Sequence, residues 1–329
     1  MNVSIILPVY NAIATLPAAL ESLRAQHLSN LEIVVINDGS TDGSEAFLHT
    51  QTDILLLNRP HKGIVSALNA GISVASGTYL ARMDADDICY PQRIKKQAAF
   101  LNQNPHIGLV GSKVGFGGNS KKQAGYATYV EWINELIHPK EISLNRFVES
   151  PFAHPSVMFR RTLVEQFGGY RDGPFPEDYE LWLRWLEHGV QMKKLNEELL
   201  IWNDPPTRLS RTDPRYDVAA FYQTKIDYLV RWLKKNNPHH PNVLVWGAGR
   251  ITRKRAEQLQ AAGIKITHYI DIKPRKLNCG TPVLLPHELP NPKQTFILPM
   301  VANRGARKNI RAFLTERNFK EGVHFLFLA

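Results

Sequence analysis

Four short apolar runs alternating with helical patterns occupy the first hundred residues, and they constrain the fold more than anything else in the chain. Val3-Ser4-Ile5-Ile6-Leu7-Pro8-Val9 and residues 31–37 (LEIVVIN) read as buried strands, as do residues 54–57 and 78–83. Between them, residues 15–26 place Leu16, Ala19, Leu20 and Leu23 at helical spacing, and residues 64–75 read as a further helix. Strands that are apolar from end to end must be covered on both faces, as in a parallel sheet flanked by crossover helices. Ligands of such sheets bind beyond the carboxyl ends of the strands. Two acidic loops fall there, Asp38-Gly39-Ser40-Thr41-Asp42-Gly43-Ser44 and Asp84-Ala85-Asp86-Asp87.

The middle of the chain is less regular. Residues 107–160 mix short strands with a helix near residues 131–137, and residues 178–188 form an amphipathic helix with Leu181, Trp182, Trp185 and Leu186 on one face. A loop covers residues 205–214, a long helix covers 216–235, and Asn236-Asn237-Pro238-His239-His240-Pro241 is a linker by composition. After it the alternation restarts with strands at 243–246, 264–270 and 296–298 and helices at 252–262 and 306–317. The expected organisation is a first domain over residues 1–235, a linker over 236–241 and a small α/β domain over 242–329.

A chain of 329 residues has room for about two domains. Its longest uncharged stretch, 19 residues between Lys62 and Arg82, carries Ser, Asn, Gly and Thr throughout, unlike a membrane span. Met1 to Pro8 shows no basic leader. Cys89 and Cys279 offer neither zinc spacing nor a disulfide framework, so a reducing, cytoplasmic setting is expected. The net charge of +10 is unevenly placed: residues 240–329 hold 15 Lys and Arg against 5 Asp and Glu, and the rest balances. Arg250, Arg253, Lys254 and Arg255 open one helix, and Arg304, Arg307, Lys308 and Arg311 cluster on another. Peripheral contact with an anionic membrane is one use of such a surface, a protein partner or a homo-oligomer another. No nucleic-acid-binding motif accompanies it, and no nucleic acid is expected.

Carboxylates crowded at the ligand edge of a buried sheet are costly unless a cation or partner compensates them. Asp84 and Asp86, separated by the small Ala85, suit Mg²⁺ or Mn²⁺, which take oxygen ligands and complete their shell with phosphates and water. On residue type alone a second reading stands beside this one, in which Asp86 or Asp87 caps a helix beginning near Pro91.

Taken in order, Pro8-Val9-Tyr10-Asn11, Asn37-Asp38-Gly39-Ser40-Thr41-Asp42 and Met83-Asp84-Ala85-Asp86-Asp87 resemble the signature of family-two glycosyltransferases. Lys62-Gly63 with Asn69, Gly71, Ala75 and Gly77, then His154-Pro155-Ser156-Val157-Met158-Phe159, Gly168-Gly169-Tyr170 and Glu177-Asp178-Tyr179-Glu180-Leu181-Trp182-Leu183, continue the likeness over about residues 1–212. The resemblance implies a GT-A fold and a nucleotide-diphosphate-sugar donor. By it, Asp38 reads the uracil imide, and Pro8, Val9, Tyr10 and Asn11 line the base. Asp84, beside Ala85, contacts ribose or phosphate, and Asp86 ligates the metal. Asp178 is the base of an inverting transfer, with Glu177 contacting the acceptor or tuning Asp178. Lys62 is a phosphate contact, and Arg208 and Arg211 stand where related enzymes close a segment over the donor. His154 either lines the acceptor side or is a structural histidine.

The chain lacks the Gln-x-x-Arg-Trp element of processive synthases and their membrane helices, which favours single-sugar transfer. Gly247-Ala248-Gly249, with Asp271 beyond it, has the start of a dinucleotide fingerprint, but Thr252 stands where a third glycine belongs. The C-terminal segment is more similar to the small Rossmann-like domain of sugar acyltransferases, Gly280-Thr281-Pro282-Val283-Leu284 included. The function expected is an inverting, metal-dependent transfer from a UDP-sugar to a saccharide or lipid-linked saccharide acceptor in surface-polysaccharide synthesis, in the cytoplasm or at the inner membrane face. The alternatives are a non-catalytic nucleotide-sugar-binding protein and an NAD-dependent oxidoreductase.

Overall fold

The computed structural model describes residues 2–205, 208–274, 276–277, 280–303 and 305–329. Cys279, Arg304 and the Pro206-Thr207 part of the expected loop lie outside them. By packing, the chain divides into residues 1–142 with 151–214, and residues 143–150 with 215–329.

The first unit is built on β1 (Val3–Val9), β2 (Leu31–Asn37), β3 (Leu55–Asn58), β4 (Tyr79–Arg82), β5 (Ile88–Cys89), β6 (Ile107–Phe116), β7 (Met158–Arg160) and β8 (Gln191–Trp202). They form one sheet in the order β3-β2-β1-β4-β7-β6-β8-β5. The first four strands in that order pair in parallel, with Val9 opposite Asn37 and Asn37 opposite Asn58, so their following loops emerge at one edge. Arg82 pairs with Ile6, which brings the turn after β4 level with the end of β1. β7 runs antiparallel to both β4 and β6, and β8 returns parallel to β6.

The apolar runs form these strands because both faces are covered. Ile5, Leu7, Val9 and Val35 pack into one cluster with Leu16, Leu20 and Leu23, while Ile6, Val34 and Ile36 pack into the other with Leu68 and Ile72. Helix Ile64–Val74 comes close to the sheet at Gly71, where a Cβ would lie 2.5 Å from Ile36 Cδ1 and 2.9 Å from Ile6 Cγ2. Helix Glu177–Glu187 buries Leu181, Trp182, Trp185 and Leu186, each contributing roughly 1.5–3 kcal/mol of transfer free energy. That face fixes the helix and with it the acidic residues of its first turn, Glu177 and Asp178.

The irregular middle is more ordered than its sequence suggests. β6 is a continuous ten-residue strand, and the helix expected near residues 131–137 spans Ala124–Glu135. The expected loop at 205–214 contains the short helix Leu209–Thr212.

The second unit carries β9 (Asn242–Trp246), β10 (Lys265–Ile270), β11 (Val283–Leu284) and β12 (Ile297–Pro299), all parallel, in the order β11-β10-β9-β12. Helix Val218–Asn236, placed by sequence in the first domain, packs here instead. Its buried Lys225 explains the grouping. Nζ donates to the carbonyls of Phe147, Val148 and Leu328 at 3.1, 3.0 and 3.2 Å, tying segment 143–150 to the second unit. Among the described residues no helix is long and apolar enough to cross a membrane.

Candidate active site

The loops after β1 and β2 are laced together. Ser40 Oγ accepts the Asn11 N–H at 3.0 Å, Asn11 Oδ1 accepts the Thr41 N–H at 2.8 Å, and Asp42 accepts the Ile13 N–H at 3.0 Å. Asn11 takes φ +48° in this turn, a conformation asparagine tolerates better than most residues. Asp38 is almost fully buried, with Oδ1 accepting the Lys62 N–H at 3.1 Å and Oδ2 the Gly63 N–H at 2.8 Å. His61 Nδ1 lies 2.9 Å from the same Oδ2, and the His61 ring stacks on Tyr10 with centroids 4.0 Å apart. Gly39, at φ +75°, allows this approach, because a Cβ there would lie 2.7 Å from the His61 nitrogen. Tyr10 remains half exposed and Lys62 exposed, whereas Pro8 and Val9 are buried within β1. Only main-chain atoms of those two can face a ligand, and the Val9 carbonyl already accepts the Asp38 N–H at 2.9 Å.

At the end of β4, one carboxylate oxygen from each of Asp84, Asp86 and Asp87 lies within 4.8 Å of the others. Asp84 Oδ1 meets Arg82 Nη2 at 2.6 Å. Burial and then the Asp84 charge push the Asp86 carboxyl up to about 6. Asp87 is raised well above its ordinary range by burial and by both neighbouring acids. Its Oδ1 accepts the Asn203 N–H at 2.8 Å, while Oδ2 has no hydrogen-bond partner among the described residues. Neither Asp86 nor Asp87 caps a helix: Arg93–Gln103 begins after Gln92 with no side-chain cap. Three carboxylates held together, two with raised proton affinity and one with an orphaned buried oxygen, fit a divalent cation by the chemistry of the donor set.

Glu177 and Asp178 open the helix Glu177–Glu187. Glu177 is buried 3.8 Å from His154 Nδ1, and His154 Nε2 lies 2.7 Å from the Tyr170 hydroxyl. Burial and then Arg82 keep the His154 pKa well below its usual range, so the ring is neutral and serves as packing and hydrogen-bonding scaffold. Asp178 is partly exposed, and burial of its carboxyl followed by the Glu177 charge push it up to about 8. Arg82 and Arg208 oppose that rise, and both also act on the acids at the end of β4. The two acid sets therefore share one electrostatic environment.

The loop after β8 separates its two arginines. The Arg208 guanidinium lies 4.2 Å from the Trp202 ring and 4.8 Å from that of Tyr126, within electrostatic reach of Asp84, Asp86 and Asp87. Arg211 is exposed and gives its guanidinium to the buried Asp204. Sequence reasoning missed His61, Arg82, Tyr126 and Asn203. Only Arg82 left a legible trace, as a charge at the end of an apolar strand.

In the second unit the glycine turn closes on itself. Asp271 Oδ2 accepts the Ala248 N–H at 3.1 Å and Oδ1 the Lys273 N–H at 3.2 Å. Thr252 is buried, its hydroxyl donating to the Met300 carbonyl at 3.3 Å.

A parallel half-sheet with acidic loops at its carboxyl edge is the architecture of the GT-A fold. A family model described as glycosyl transferase family 2 matches residues 4–168. The amylovoran biosynthesis glycosyltransferase AmsE of Erwinia amylovora is 30% identical over 209 residues, covering 60% of this chain and 74% of its own. Staphylococcus aureus TarS 1–349, solved in complex with UDP-GlcNAc, superposes with a TM-score of 0.56 at 20% identity, over 71% of this chain and 67% of that one. The mannosyltransferase PcManGT of Pyrobaculum calidifontis, solved with GDP-Man and Mn²⁺, gives 0.51 at 19% identity, over 71% and 64%. The chain belongs to glycosyl transferase family 2 and is a glycosyltransferase.

Proposed function

We propose that this enzyme transfers a single sugar, with inversion, from a UDP-sugar to a saccharide or lipid-linked saccharide acceptor in surface-polysaccharide synthesis. The observation that carries the reading is the pairing of the Asp84–Asp86–Asp87 carboxylates with a separate acid, Asp178, whose proton affinity is raised to about 8. Asp86, with Asp84 and Asp87 beside it, would hold Mn²⁺ or Mg²⁺. When bound, the ion supplies positive charge against the leaving diphosphate.

This chain's residues do the rest. Tyr10, Asn11 and Asp38 receive the base, the last through lone pairs not used by the Lys62 and Gly63 amides. Lys62 and Arg208 face the phosphates. The acceptor hydroxyl oxygen attacks the anomeric carbon as that carbon's bond to the diphosphate oxygen breaks, and the hydroxyl proton passes to Asp178. Glu177, at the base of the same turn, contacts the acceptor or tunes Asp178. The acceptor reading extends to the second unit, whose exposed cations would touch an anionic membrane face. The support for a UDP-sugar and a metal is the acid arrangement together with the nucleotide-sugar complexes of the fold neighbours.

The test is donor hydrolysis. The full chain is incubated with Mn²⁺ and, separately, UDP-glucose, UDP-galactose, UDP-N-acetylglucosamine and GDP-mannose, and nucleotide release is measured with and without EDTA. Release from one UDP-sugar that EDTA abolishes is expected. Metal-independent release, or release from GDP-mannose alone, overturns the corresponding part of the reading.

A further inference from the structure

The side of Tyr10 turned toward Asp38 carries a ring of the protein's own. His61 Nδ1 lies 2.9 Å from Asp38 Oδ2 and 3.0 Å from the Asp38 carbonyl oxygen. Both oxygens are acceptors, so Nδ1 carries the hydrogen and donates it. The same imidazole stacks on Tyr10, with centroids 4.0 Å apart and planes 22° from parallel. A third ring between the two would need about 7 Å, two contacts of about 3.5 Å each. His61 therefore gives Tyr10 an aromatic face and Asp38 an in-plane N–H, the two things a uracil ring offers through its face and its imide. The fold does not need this contact. Asp38 is held without it, by its own N–H to the Val9 carbonyl at 2.9 Å and by the Lys62 and Gly63 amides at 3.1 and 2.8 Å. The His61 main chain is fixed separately, close against Gly39, where a Cβ would lie 2.7 Å from the His61 nitrogen. Its side chain is 52% exposed, on the loop between β3 and helix Ile64–Val74. Exposed side chains of this kind change rotamer freely on fast timescales.

We propose that His61 is a stand-in for the donor's base: its imidazole fills the slot bounded by the Tyr10 ring and the Asp38 carboxylate until the base displaces it, and that displacement sets the donor's affinity. This rests on the reading that Tyr10 and Asp38 receive the base. A base that stacked on this face of Tyr10 and gave an N–H to Asp38 would fill the space the imidazole fills, so the two exclude each other. The incoming ring restores both the stack and the hydrogen bond that His61 gives up, which leaves neither Tyr10 nor the buried carboxylate short of a partner. The apparent affinity for nucleotide is reduced by the fraction of molecules whose slot stands open.

The test is the affinity of the full-length protein for UDP, with Mn²⁺ present, measured by calorimetry in the wild type and in His61→Ala. Removing a competitor tightens binding and removing a support weakens it, so the sign of the change decides. His61→Ala should bind UDP about three- to tenfold more tightly, the gain expected when the slot is open in roughly a third to a tenth of wild-type molecules. An affinity that is unchanged or lowered in His61→Ala overturns the proposal. Nuclear Overhauser contacts in the wild type supply the second readout. Contacts between the His61 and Tyr10 rings should be present without nucleotide, vanish at saturating UDP and give way to contacts between the uracil protons and Tyr10. Should uracil reach Tyr10 while the His61 contacts persist, the base reading stands and the stand-in is overturned. Should UDP bind with no uracil contact to Tyr10, the base reading fails and the stand-in falls with it.

Discussion

The molecule contains two four-stranded parallel arrays, β3-β2-β1-β4 within the larger mixed sheet and β11-β10-β9-β12, whose carboxyl edges treat acidic residues in opposite ways. At the edge of the first, Asp84, Asp86 and Asp87 converge, and burial with mutual repulsion raises the proton affinity of the last two. At the edge of the second, Asp271 accepts the amides of Ala248 and Lys273 and is absorbed into the turn that follows β9. An acid satisfied by its own backbone stabilises a loop. Acids left short of partners beside one another are held there by the fold for something that arrives later. The same topology thus yields a reactive edge and a structural one, and the distinction lies in how the charges are compensated.

The largest expected effect breaks that contrast at its centre. Asp86→Ala should abolish donor hydrolysis and remove Mn²⁺-dependent binding of UDP in calorimetry. Asp271→Asn should leave turnover within about twofold and cost only about 1 kcal/mol of stability, the scale of one weakened hydrogen bond. Equal UDP affinities for wild type and Asp86→Ala would take Asp86 out of the metal site.

Next comes the proposed base. Asp178→Asn keeps the shape of the turn but cannot accept a proton, so turnover should fall roughly 10²-fold or more with UDP–Mn²⁺ affinity retained. A proportional loss of affinity would mean that the residue serves binding instead.

A smaller effect concerns pH. Free aspartate ionises near about 3.9, but here Asp86 and Asp178 hold their protons to about 6 and about 8. The fold binds these protons more tightly than the unfolded chain does. The stability they contribute is therefore complete in acid and is lost as the pH rises through those two values. A divalent cation offsets the repulsion that ionisation creates. The rise in Tm on adding Mn²⁺ should accordingly be larger at about pH 8 than at about pH 5, and Asp86→Ala should flatten the difference. A rise that is the same at both values would show that the cation binds elsewhere.

What was legible in the sequence divides along similar lines. β1 and β2 were read to their end residues, and the helix Glu177–Glu187 to within one, because continuous apolar runs and a wide apolar face leave one period to choose. β8 was not, since Lys193, Lys194, Glu197 and Glu198 interrupt it, and only the pairing of Lys194 Nζ with the Ile133 carbonyl reveals that a lysine is buried there. The unit boundary was missed for the same reason. Nothing local in residues 143–150 announces that Lys225 will collect the carbonyls of Phe147 and Val148. Likewise the acids of the first cleft were visible as a motif, but Arg82, His61 and Asn203 acquire meaning only where strands bring them beside those acids.

The smallest predicted effect sharpens the comparison from the other side, by asking what the second edge does with its positive charge. The excess of ten carried by residues 240–329 is partly used internally. Arg255 lies over the Tyr222 ring at 4.3 Å, Arg307 donates to the Ala329 carbonyl at 3.2 Å, and Arg311 meets Glu321 at 2.8 Å. Because the strands are parallel, Arg250 after β9, Lys273 after β10 and Lys308 after β12 come to the same edge, with Lys254 one turn beyond Arg250, and all four are exposed. Ile251 and Ile272, 69% and 76% exposed, stand among them. Each cation near an anionic surface contributes about 1 kcal/mol, so the four together give roughly 4 kcal/mol at low salt, a reversible attachment that should fade at physiological salt, where screening acts over about 8 Å. Truncation is the wrong comparison, because helix Val218–Asn236 packs within the second unit and a cut at residue 235 would divide its core. The full chain and an Arg250→Glu/Lys254→Glu variant should instead be sedimented with phosphatidylglycerol vesicles at low and physiological salt. If the two proteins distribute alike at low salt, this edge does not meet membranes, and its charge is as inward-looking as its aspartate.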